Sequence, residues 1–161
     1  MWEAPFIVPD QSLEPAWIDY NGHLNMAFYN VLFDRGVDQL YDALGIGEAY
    51  VAQGGGSCFT LEVHLNYLDE VTIEDKVSIR LQLIDFDAKR LHYFLSMTNT
   101  STGQLAATSE HLAMHVNITT RRSAPLPEKA LERIAELHAA HSSLPVPEQL
   151  GHVIGIRKKS G

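Results

Sequence analysis

The sequence predicts an α+β fold in which an antiparallel sheet wraps around one long central helix, and three observations support this prediction. Residues 26–44 carry apolar side chains at helical spacing, and several segments between residues 57 and 118 alternate apolar and polar residues. The connections between those segments are short, so consecutive strands should pair antiparallel. Each strand then offers one apolar face that a long helix can cover.

The central helix is predicted to begin near residue 26 and to end at about Leu44. Asn25 is a suitable N-cap, and Gly45 and Gly47 stop the helix. Its apolar residues fall roughly at i, i+3 and i+4 positions: Phe28, Val31, Leu32, Val37, Leu40, Tyr41 and Leu44. So broad an apolar face predicts that the helix lies against a sheet.

Four later segments alternate with the period of two residues that is typical of strands. The residues that share the apolar face of the first are Phe59, Leu61, Val63, Leu65 and Tyr67. Those of the second and third are Val77, Ile79, Leu81 and Leu83, then Leu91, Tyr93, Leu95 and Met97. Those of the fourth are Leu112, Met114, Val116 and Ile118, opposite His111, Ala113, His115 and Asn117. A further short strand is predicted to end near Trp17.

A second helix is predicted over residues 127–141, so that residues 1–143 form one domain. Residues 144–161 contain two prolines and several glycines, and we interpret them as a tail or an arm along a neighbouring subunit. The basic residues near its end are interpreted as solvated charges: Arg157, Lys158 and Lys159.

Composition excludes several classes of function. The chain has 161 residues and a formal net charge of −8, whereas proteins that bind DNA or RNA through phosphates usually carry a basic surplus. We therefore expect no nucleic-acid partner. We expect no membrane segment and no secretory signal either, because no apolar run is long enough and the first residues lack a basic region. Cys58 is the only cysteine, which indicates a reducing compartment, the cytoplasm.

The stretch from Trp17 to Asn25 holds the polar residues that best indicate chemistry. Asp19, Asn21 and His23 lie in a tight connector just before the helix. The first N–H groups of a helix have no internal partner and carry partial positive charge, so they can stabilise an oxyanion. A carboxylate beside them can activate water or attack a carbonyl, which is the other part that ester or thioester hydrolysis needs. The alternative is that these residues are only cap and turn formers.

The spacing Asp19-x-Asn21-x-His23-x-Asn25, followed by Tyr29, resembles the signature of 4-hydroxybenzoyl-CoA-thioesterase-like hotdog proteins. It is also similar to the Asp, Asn and His motif of plant acyl-carrier-protein thioesterases. The resemblance covers most of the chain, because the later strands fit as well. It implies a hotdog fold, acyl-CoA thioester hydrolysis, and a homodimer or homotetramer with active sites between subunits. Unpaired strand edges favour the same pairing of copies.

The resemblance also implies a role for each residue of the motif. Asp19 is then the general base or the nucleophile, and the backbone N–H near Met26 binds the thioester oxygen. Asn21 and His23 match the plant-type motif and position or polarise the substrate, although the bacterial benzoyl-CoA branch lacks this histidine. The implied reaction needs no metal or redox cofactor, only a coenzyme A thioester as substrate.

Three pieces of the sequence resemble, more narrowly, the thioesterase domain that is fused to some carnitine dehydrogenases. They are Trp17-x-Asp19-Tyr20-Asn21-Gly22-His23, Leu68-Asp69-Glu70-Val71 and Lys89-Arg90-Leu91-His92, and Thr60, Glu62 and His64 match as well. The resemblance implies betainyl-CoA as substrate, in carnitine metabolism. Because a trimethylammonium group requires aromatic faces and a carboxylate, the candidate substrate-binding residues are Trp17, Tyr20, Tyr29, Glu62, His64 and Tyr67. The alternative is a core position for Trp17 and Tyr67 and a solvated one for Glu62.

Coenzyme A phosphates require a local basic patch that the net charge does not provide. Two pairs are candidates, namely Lys89 with Arg90 in a strand turn, and Arg121 with Arg122 after the last strand. The alternative for each pair is an ordinary solvated turn.

Two other kinds of site are not supported. His111 and His115 are four residues apart on a strand, about 13 Å, which is too far to hold one metal ion. Cys58 and His64 lack a third orienting group, so a cysteine nucleophile is not favoured, and we interpret Cys58 as a small apolar residue. We therefore expect no metal site.

Two other classes of function remain open for a hotdog protein. One is an enoyl-CoA hydratase or dehydratase, which typically presents a histidine after Pro-Gly, whereas this chain has Gly22-His23 without the proline. The other is a non-catalytic acyl-CoA-binding protein.

Overall fold

The computed structural model describes residues 2–156 and has the predicted α+β class. Its helices are α1 (Met26–Leu44), α2 (Glu48–Ala52) and α3 (Glu128–His141). Its strands are β1 (Phe6–Ser12), β2 (Ser57–Tyr67), β3 (Lys76–Phe86), β4 (Arg90–Asn99), β5 (Leu105–Asn117) and β6 (Arg122–Ser123). They form one antiparallel sheet in the order β1-β3-β4-β5-β2, and β6 pairs with the end of β5. The expected pairing of consecutive strands holds from β3 to β5 but is wrong for β2, which pairs with β5 instead of β3.

The ends of α1 are fixed by the residues that flank it. The side chain of Asn25 accepts a hydrogen bond from the N–H of Ala27 at 3.0 Å, so it satisfies one of the free donors of the first turn. At the other end Gly45 adopts a left-handed conformation with φ of 79°, and the N–H of Ile46 returns to the carbonyl of Tyr41. The helix is therefore defined locally at both ends before it packs.

α1 lies against the side of the sheet that carries the large apolar residues of β3 and β4. The helix residues that are fully buried there include Leu32, Phe33, Leu40 and Leu44. Gly36 lets the helix approach closely, because a Cβ at this position would lie 3.2 Å from Val8 and 3.5 Å from Ile79. This face of the sheet is called the inner face below, and the opposite one the outer face.

In β5, the fourth predicted strand, His111 and Ser109 face the helix and Leu112 faces outward, which is the reverse of what a simple apolar core predicts. Tyr93 and Leu95 pair with His111 and Ser109, and directly paired residues of antiparallel strands share a face. His111 therefore points inward, where its ring stacks on Tyr93 at 5.2 Å and its Nε2 lies 2.6 Å from Ser109 Oγ. The apolar residue Leu112 points outward instead. Register, rather than hydrophobicity of β5 itself, decides this orientation.

A β-bulge in β2 corrects the predicted alternation of that strand. Thr60 pairs with Ala113, but Glu62 pairs with Leu112, so Leu61 is left out of register. As a result Phe59 lies on the outer face, whereas Val63, Leu65 and Tyr67 lie on the inner face. β2 is also an edge of the sheet, and Leu61 there is 51% exposed.

Two further local predictions differ from the structure. The strand expected near Trp17 is instead β1, which ends at Ser12, and Pro15–Trp17 forms a short 3-10 turn. Proline lacks the N–H that a strand ladder requires, and it suits the first position of a helical turn. The short elements α2 and β6 were not predicted, since five and two residues are too few to show a period.

The C-terminal part of the chain covers the sheet from two sides. α3 packs on β3, and His141 accepts a hydrogen bond from the N–H of Leu83 at 2.9 Å and donates to the carbonyl of Glu3 at 3.0 Å. Residues 144–156 then run over the outer face, where the N–H of Gly151 donates to Glu110 at 2.7 Å. The basic residues from 157 onward lie outside the described residues. Within residues 2–156, no helix has the length and apolar character needed to cross a membrane.

We expect Gly36→Val to lower the free energy of unfolding by about 1–3 kcal/mol, because the added methyl groups would overpack the contact with Val8 and Ile79. The measurement is the urea midpoint of unfolding. The control is Asn30→Val, which places the same β-branched residue on the exposed side of α1. Equal midpoints for the two variants would contradict this account of the helix–sheet contact.

We also expect stability to fall as the pH drops from about 6.5 to about 4. Burial lowers the pKa of His111 to about 4, whereas an unfolded histidine titrates near 6.5. The stability that the neutral ring provides is therefore full above pH 6.5, and about 3 kcal/mol of it is lost as the pH falls toward 4. Urea unfolding at several pH values measures this slope, and a Ser109→Ala/His111→Phe double variant should flatten it. Parallel slopes in parent and variant would refute the assignment to His111.

Candidate active site

A small hairpin from Ile18 to Leu24 presents Asp19 in front of α1. Ile18 and Leu24 form an isolated antiparallel bridge. Asp19 donates its N–H to the carbonyl of His23 at 3.0 Å, and the N–H of Gly22 returns to the carbonyl of Asp19 at 3.0 Å. Gly22 has a φ of 87°, in the left-handed region that glycine adopts without strain. The motif residues are thus held by a tight, hydrogen-bonded turn.

The carboxylate of Asp19 is oriented by its own turn. Its Oδ1 accepts a hydrogen bond from the N–H of Asn21 at 2.8 Å. Among the described residues its Oδ2 has no hydrogen-bond partner. The cap-and-turn interpretation and the chemical one are therefore compatible, because one oxygen fixes the turn and the other stays free.

The beginning of α1 offers a donor next to this carboxylate. Asn25 donates its N–H to the carbonyl of Trp17 at 2.9 Å, and Leu24 donates to Val71 at 2.8 Å. The N–H of Met26, the first residue of the helix, has no partner within residues 2–156. Such an unpaired donor at the positive end of a helix is suited to bind an oxyanion.

Asp19 and Met26 line the same cleft, which has a volume of about 530 Å³. The residues that line it are Asp19, Tyr20, His23, Leu24, Asn25, Met26, Tyr29, Tyr67, Leu68, Asp69 and Glu70. We call this the Asp19 cleft. Its lining within the described chain includes three carboxylates and no lysine or arginine, so its potential is negative.

Two tyrosines form the aromatic wall of the Asp19 cleft. Tyr29 and Tyr67 meet edge to face, with ring centres 5.2 Å apart. The hydroxyl of Tyr67 donates to the carbonyl of Met26 at 3.1 Å, and that of Tyr29 to the carbonyl of Asp69 at 3.3 Å. Burial raises the pKa of Tyr29 to about 12, and the carboxylates of Asp69 and Glu70 add to the rise. Tyr29 is therefore a neutral phenol at physiological pH, not a base.

The other two residues of the motif occupy different places. His23 lines the cleft, and its Nε2 lies 3.7 Å from Glu70 Oε2. Asn21 is exposed at the tip of the turn and contributes its backbone N–H to Asp19 rather than a side chain to the cleft. Tyr20 borders the cleft but is 98% exposed.

Three of the predicted substrate-binding residues are not brought to Asp19 within this chain. Trp17 is buried, stacks on Phe28 at 5.3 Å and is covered by the guanidinium of Arg35 at 4.9 Å. Glu62 and His64 lie on the outer face, in a second cleft of about 480 Å³. Their roles remain predictions.

The second cleft, the outer cleft, lies between the sheet and the C-terminal segment. His92 Nε2 lies 2.8 Å from Glu110 Oε1, and Glu110 also holds the N–H of Gly151. The rings of His64 and His152 are 5.8 Å apart. Within residues 2–156, no group of three or more histidine, cysteine or acidic residues is arranged to hold a metal ion.

The candidate basic residues also lie away from the Asp19 cleft. Arg90, next to Lys89 in the β3–β4 turn, is paired with Asp87 at 2.6 Å. Arg121 lies over the ring of Phe59 at 5.1 Å, and Arg122 begins β6. The last two are therefore close to the beginning of β2, whereas the cleft lies at its end.

Cys58 and His64 do not form a catalytic pair in the structure. Cys58 pairs with His115 on the inner face, whereas His64 pairs with Glu110 on the outer face. Burial raises the pKa of the Cys58 thiol to about 12, so it stays protonated. This agrees with the interpretation of Cys58 as a small apolar residue.

Sequence reasoning missed Asp69 and Glu70 as residues of the Asp19 cleft, although it singled out the segment that contains them. The signal was their position directly after the apolar run of β2. Their proximity to Asp19 depends on the hydrogen bond between Leu24 and Val71, which joins segments 47 residues apart and has no local pattern.

Comparison with known proteins gives consistent matches. A sequence model of the thioesterase-like superfamily matches residues 13–134. A betainyl-CoA thioesterase of Pseudomonas aeruginosa is 43% identical over 142 residues, which cover 88% of this chain and 89% of that protein. A fused L-carnitine dehydrogenase/betainyl-CoA thioesterase of Rhizobium meliloti is 30% identical over 96% of this chain, which spans only 31% of that longer protein.

Solved structures agree with the sequence comparisons. A hypothetical protein of Staphylococcus aureus, solved in complex with CoA, superposes with a TM-score of 0.90 at 35% identity and covers 98% of both chains. A putative thioesterase of Pseudomonas putida superposes with a TM-score of 0.84 at 31% identity, over 97% of this chain and 99% of that one.

Proposed function

The chain belongs to the thioesterase-like superfamily and is an acyl-CoA thioesterase of the hotdog fold, and we propose that its substrate is betainyl-CoA. The observation that supports thioester hydrolysis is that Asp19, with its free oxygen, and Met26, with its unpaired N–H, line one cleft. Thioester hydrolysis needs an attacking group and an oxyanion donor on either side of one carbonyl carbon.

In the proposed reaction the thioester carbonyl lies over the beginning of α1, and its oxygen accepts a hydrogen bond from the Met26 N–H. Asp19 Oδ2 takes a proton from water as the water oxygen bonds to the carbonyl carbon, or attacks that carbon itself to give a mixed anhydride that water then opens. The carbon–sulfur bond breaks, and the thiolate of coenzyme A leaves and is protonated. The products are betaine, coenzyme A and one proton. This chemistry calls for no metal or redox cofactor.

The choice of acyl group rests on two supports. One is the 43% identity to a protein named betainyl-CoA thioesterase. The other is the character of the Asp19 cleft, where the tyrosines Tyr29 and Tyr67 and several carboxylates offer what a quaternary ammonium group prefers. The dehydrogenase activity in the names of the fused relatives is not part of this proposal, because the chain spans about a third of those proteins.

We also propose that two copies pair through β2, as a homodimer that can assemble further into a homotetramer. β2 pairs only with β5 in the described chain, so its other edge is free, and the strand carries the exposed Leu61. A free edge of this kind favours pairing with another strand. A twofold axis makes such a contact self-complementary, with β2 antiparallel to its copy.

This pairing supports a role for the basic residues that lie far from the cleft. Antiparallel copies of β2 bring the beginning of one strand toward the end of the other. Arg121 and Arg122 of the second copy would then approach the Tyr67 end of the first, where the acidic cleft has no cation of its own for the phosphates of coenzyme A. For the compartment we propose the reducing cytoplasm, because Cys58 has no second cysteine as a partner.

We expect Asp19→Asn to lower the rate of thiol release from betainyl-CoA by about 100- to 10,000-fold, because it removes the group that activates water or attacks. Asparagine can accept the same hydrogen bond from the N–H of Asn21, so the hairpin should keep its conformation and the melting temperature should change little. Free thiol is followed with a colorimetric reagent, and Asp10→Asn, an exposed change on β1, is the control.

A folded Asp19→Asn variant with the parent rate would refute the catalytic assignment. A parent protein that hydrolyses other acyl-CoA thioesters but not betainyl-CoA would refute the substrate while leaving the thioesterase activity. Water addition to an enoyl-CoA without release of thiol would instead favour the hydratase alternative.

For the dimer, we expect Leu61→Lys to shift the protein toward monomer, since two buried ammonium groups would face each other near the twofold axis. Sedimentation velocity measures the mass. Ile73→Lys, the same kind of change at another exposed apolar residue in the loop before β3, should leave the mass unchanged. A Leu61→Lys variant with an undisturbed dimer would place the interface elsewhere.

A further inference from the structure

We propose that Glu70, supported by Asp69, recognises the trimethylammonium group of the substrate and thereby sets a preference for cationic over neutral acyl groups. This inference rests on the proposed function, because it concerns the acyl end of betainyl-CoA in the Asp19 cleft. The sequence alone indicates Glu62 as a carboxylate for this group, but Glu62 lies in the outer cleft.

The covalent structure of betainyl-CoA decides where its cation must lie. One methylene group joins the ammonium nitrogen to the carbonyl carbon, so the two atoms are about 2.5 Å apart. If the carbonyl is at Asp19 and Met26, the cation lies in the same cleft. Glu62 and His64, on the other side of the sheet, do not reach it within one chain.

The charges of the Asp19 cleft favour such a cation. Asp19 is used for the reaction itself. Asp69 is held in place, since its Oδ1 accepts a hydrogen bond from the N–H of Glu70 at 3.0 Å. Glu70 keeps a side chain that is 69% exposed, and its Oε2 lies 3.7 Å from Nε2 of His23. Of the three carboxylates, that of Glu70 is the one least occupied by backbone contacts.

The chemistry of a quaternary ammonium group explains why an exposed carboxylate and a tyrosine ring suffice. The group has no N–H, so it cannot form the hydrogen bonds that bind ordinary ammonium ions. Recognition therefore comes from charge and from aromatic faces. Tyr67 provides such a face, because it is 44% exposed and its ring is fixed by the bond to Met26 and by the edge of Tyr29.

A competing role for Glu70 is to orient His23 through their contact. The two roles differ in what they predict. An orienting residue would affect every acyl group alike, whereas a counter-charge would affect only the cationic ones. Substrates that differ in charge but not in shape therefore separate the two.

The test compares betainyl-CoA with 3,3-dimethylbutanoyl-CoA, in which carbon replaces the positive nitrogen and the shape is kept. We expect Glu70→Gln to lower the ratio of their two kcat/KM values about three- to tenfold. The ratio of the parent protein should also fall as salt is raised, because the carboxylate is exposed, and the variant should respond less. The matched control is Glu74→Gln, an exposed change four residues on that lies outside the cleft and should keep the parent ratio.

An unchanged ratio in Glu70→Gln, or an equal loss on both substrates, would overturn the inference while leaving the proposed function in place. Failure of the parent protein to hydrolyse betainyl-CoA would overturn both, and would be seen before any variant is compared. A drop in the ratio for Glu74→Gln as large as that for Glu70→Gln would show a diffuse effect of charge and would also overturn the assignment to Glu70.

Discussion

The hydrogen bond from the N–H of Leu24 to the carbonyl of Val71 is the constraint on which the site depends. It ties the hairpin that carries Asp19 to the loop that carries Glu70, and the next residue, Asn25, caps α1. The hairpin and the helix that follows it directly therefore meet a loop that is distant in the chain. The hairpin alone would present a carboxylate to solvent, and the helix alone would present an unpaired donor. Their connection through the backbone puts both in one cleft.

The charge of the cleft is compatible with the proposed substrate when the acyl end and the coenzyme A end of that substrate are considered separately. Coenzyme A is strongly anionic, whereas the lining of the Asp19 cleft is acidic. An acyl group that carries a positive charge is attracted by this acidic lining, whereas the anionic coenzyme A is repelled by it. The phosphates at the other end then require cations, a role that we propose for Arg121 and Arg122 of a second copy. In this proposal the cationic acyl group contacts the acidic cleft, and the anionic phosphates contact the two arginines.

Local patterns were sufficient for α1, α3 and the strands β2 to β5, whereas long-range pairing decides the strand order, because β2 pairs with β5 and not with the next strand in the chain. Asn25 and Gly45 mark the ends of α1 because capping depends on neighbouring residues. The orientation of His111 could not be read from β5, since its register against β4 decides it. The bulge at Leu61 was hidden for the same reason, because an alternating sequence gives no sign of an extra residue. Glu62, a predicted substrate-binding residue, lies in the outer cleft, and its role remains a prediction.

The segment that crosses the outer face, held by Gly151 on Glu110, has a consequence for higher assembly. The outer face of a sheet can pack against another sheet, but here the C-terminal segment of the same chain already covers it. Two dimers that associated through their outer faces would first have to displace this segment. The Glu110 carboxylate would then lose its hydrogen bond from the N–H of Gly151. If dimers of this protein associate further, contact through the helical sides would leave the hydrogen bond between Gly151 and Glu110 intact.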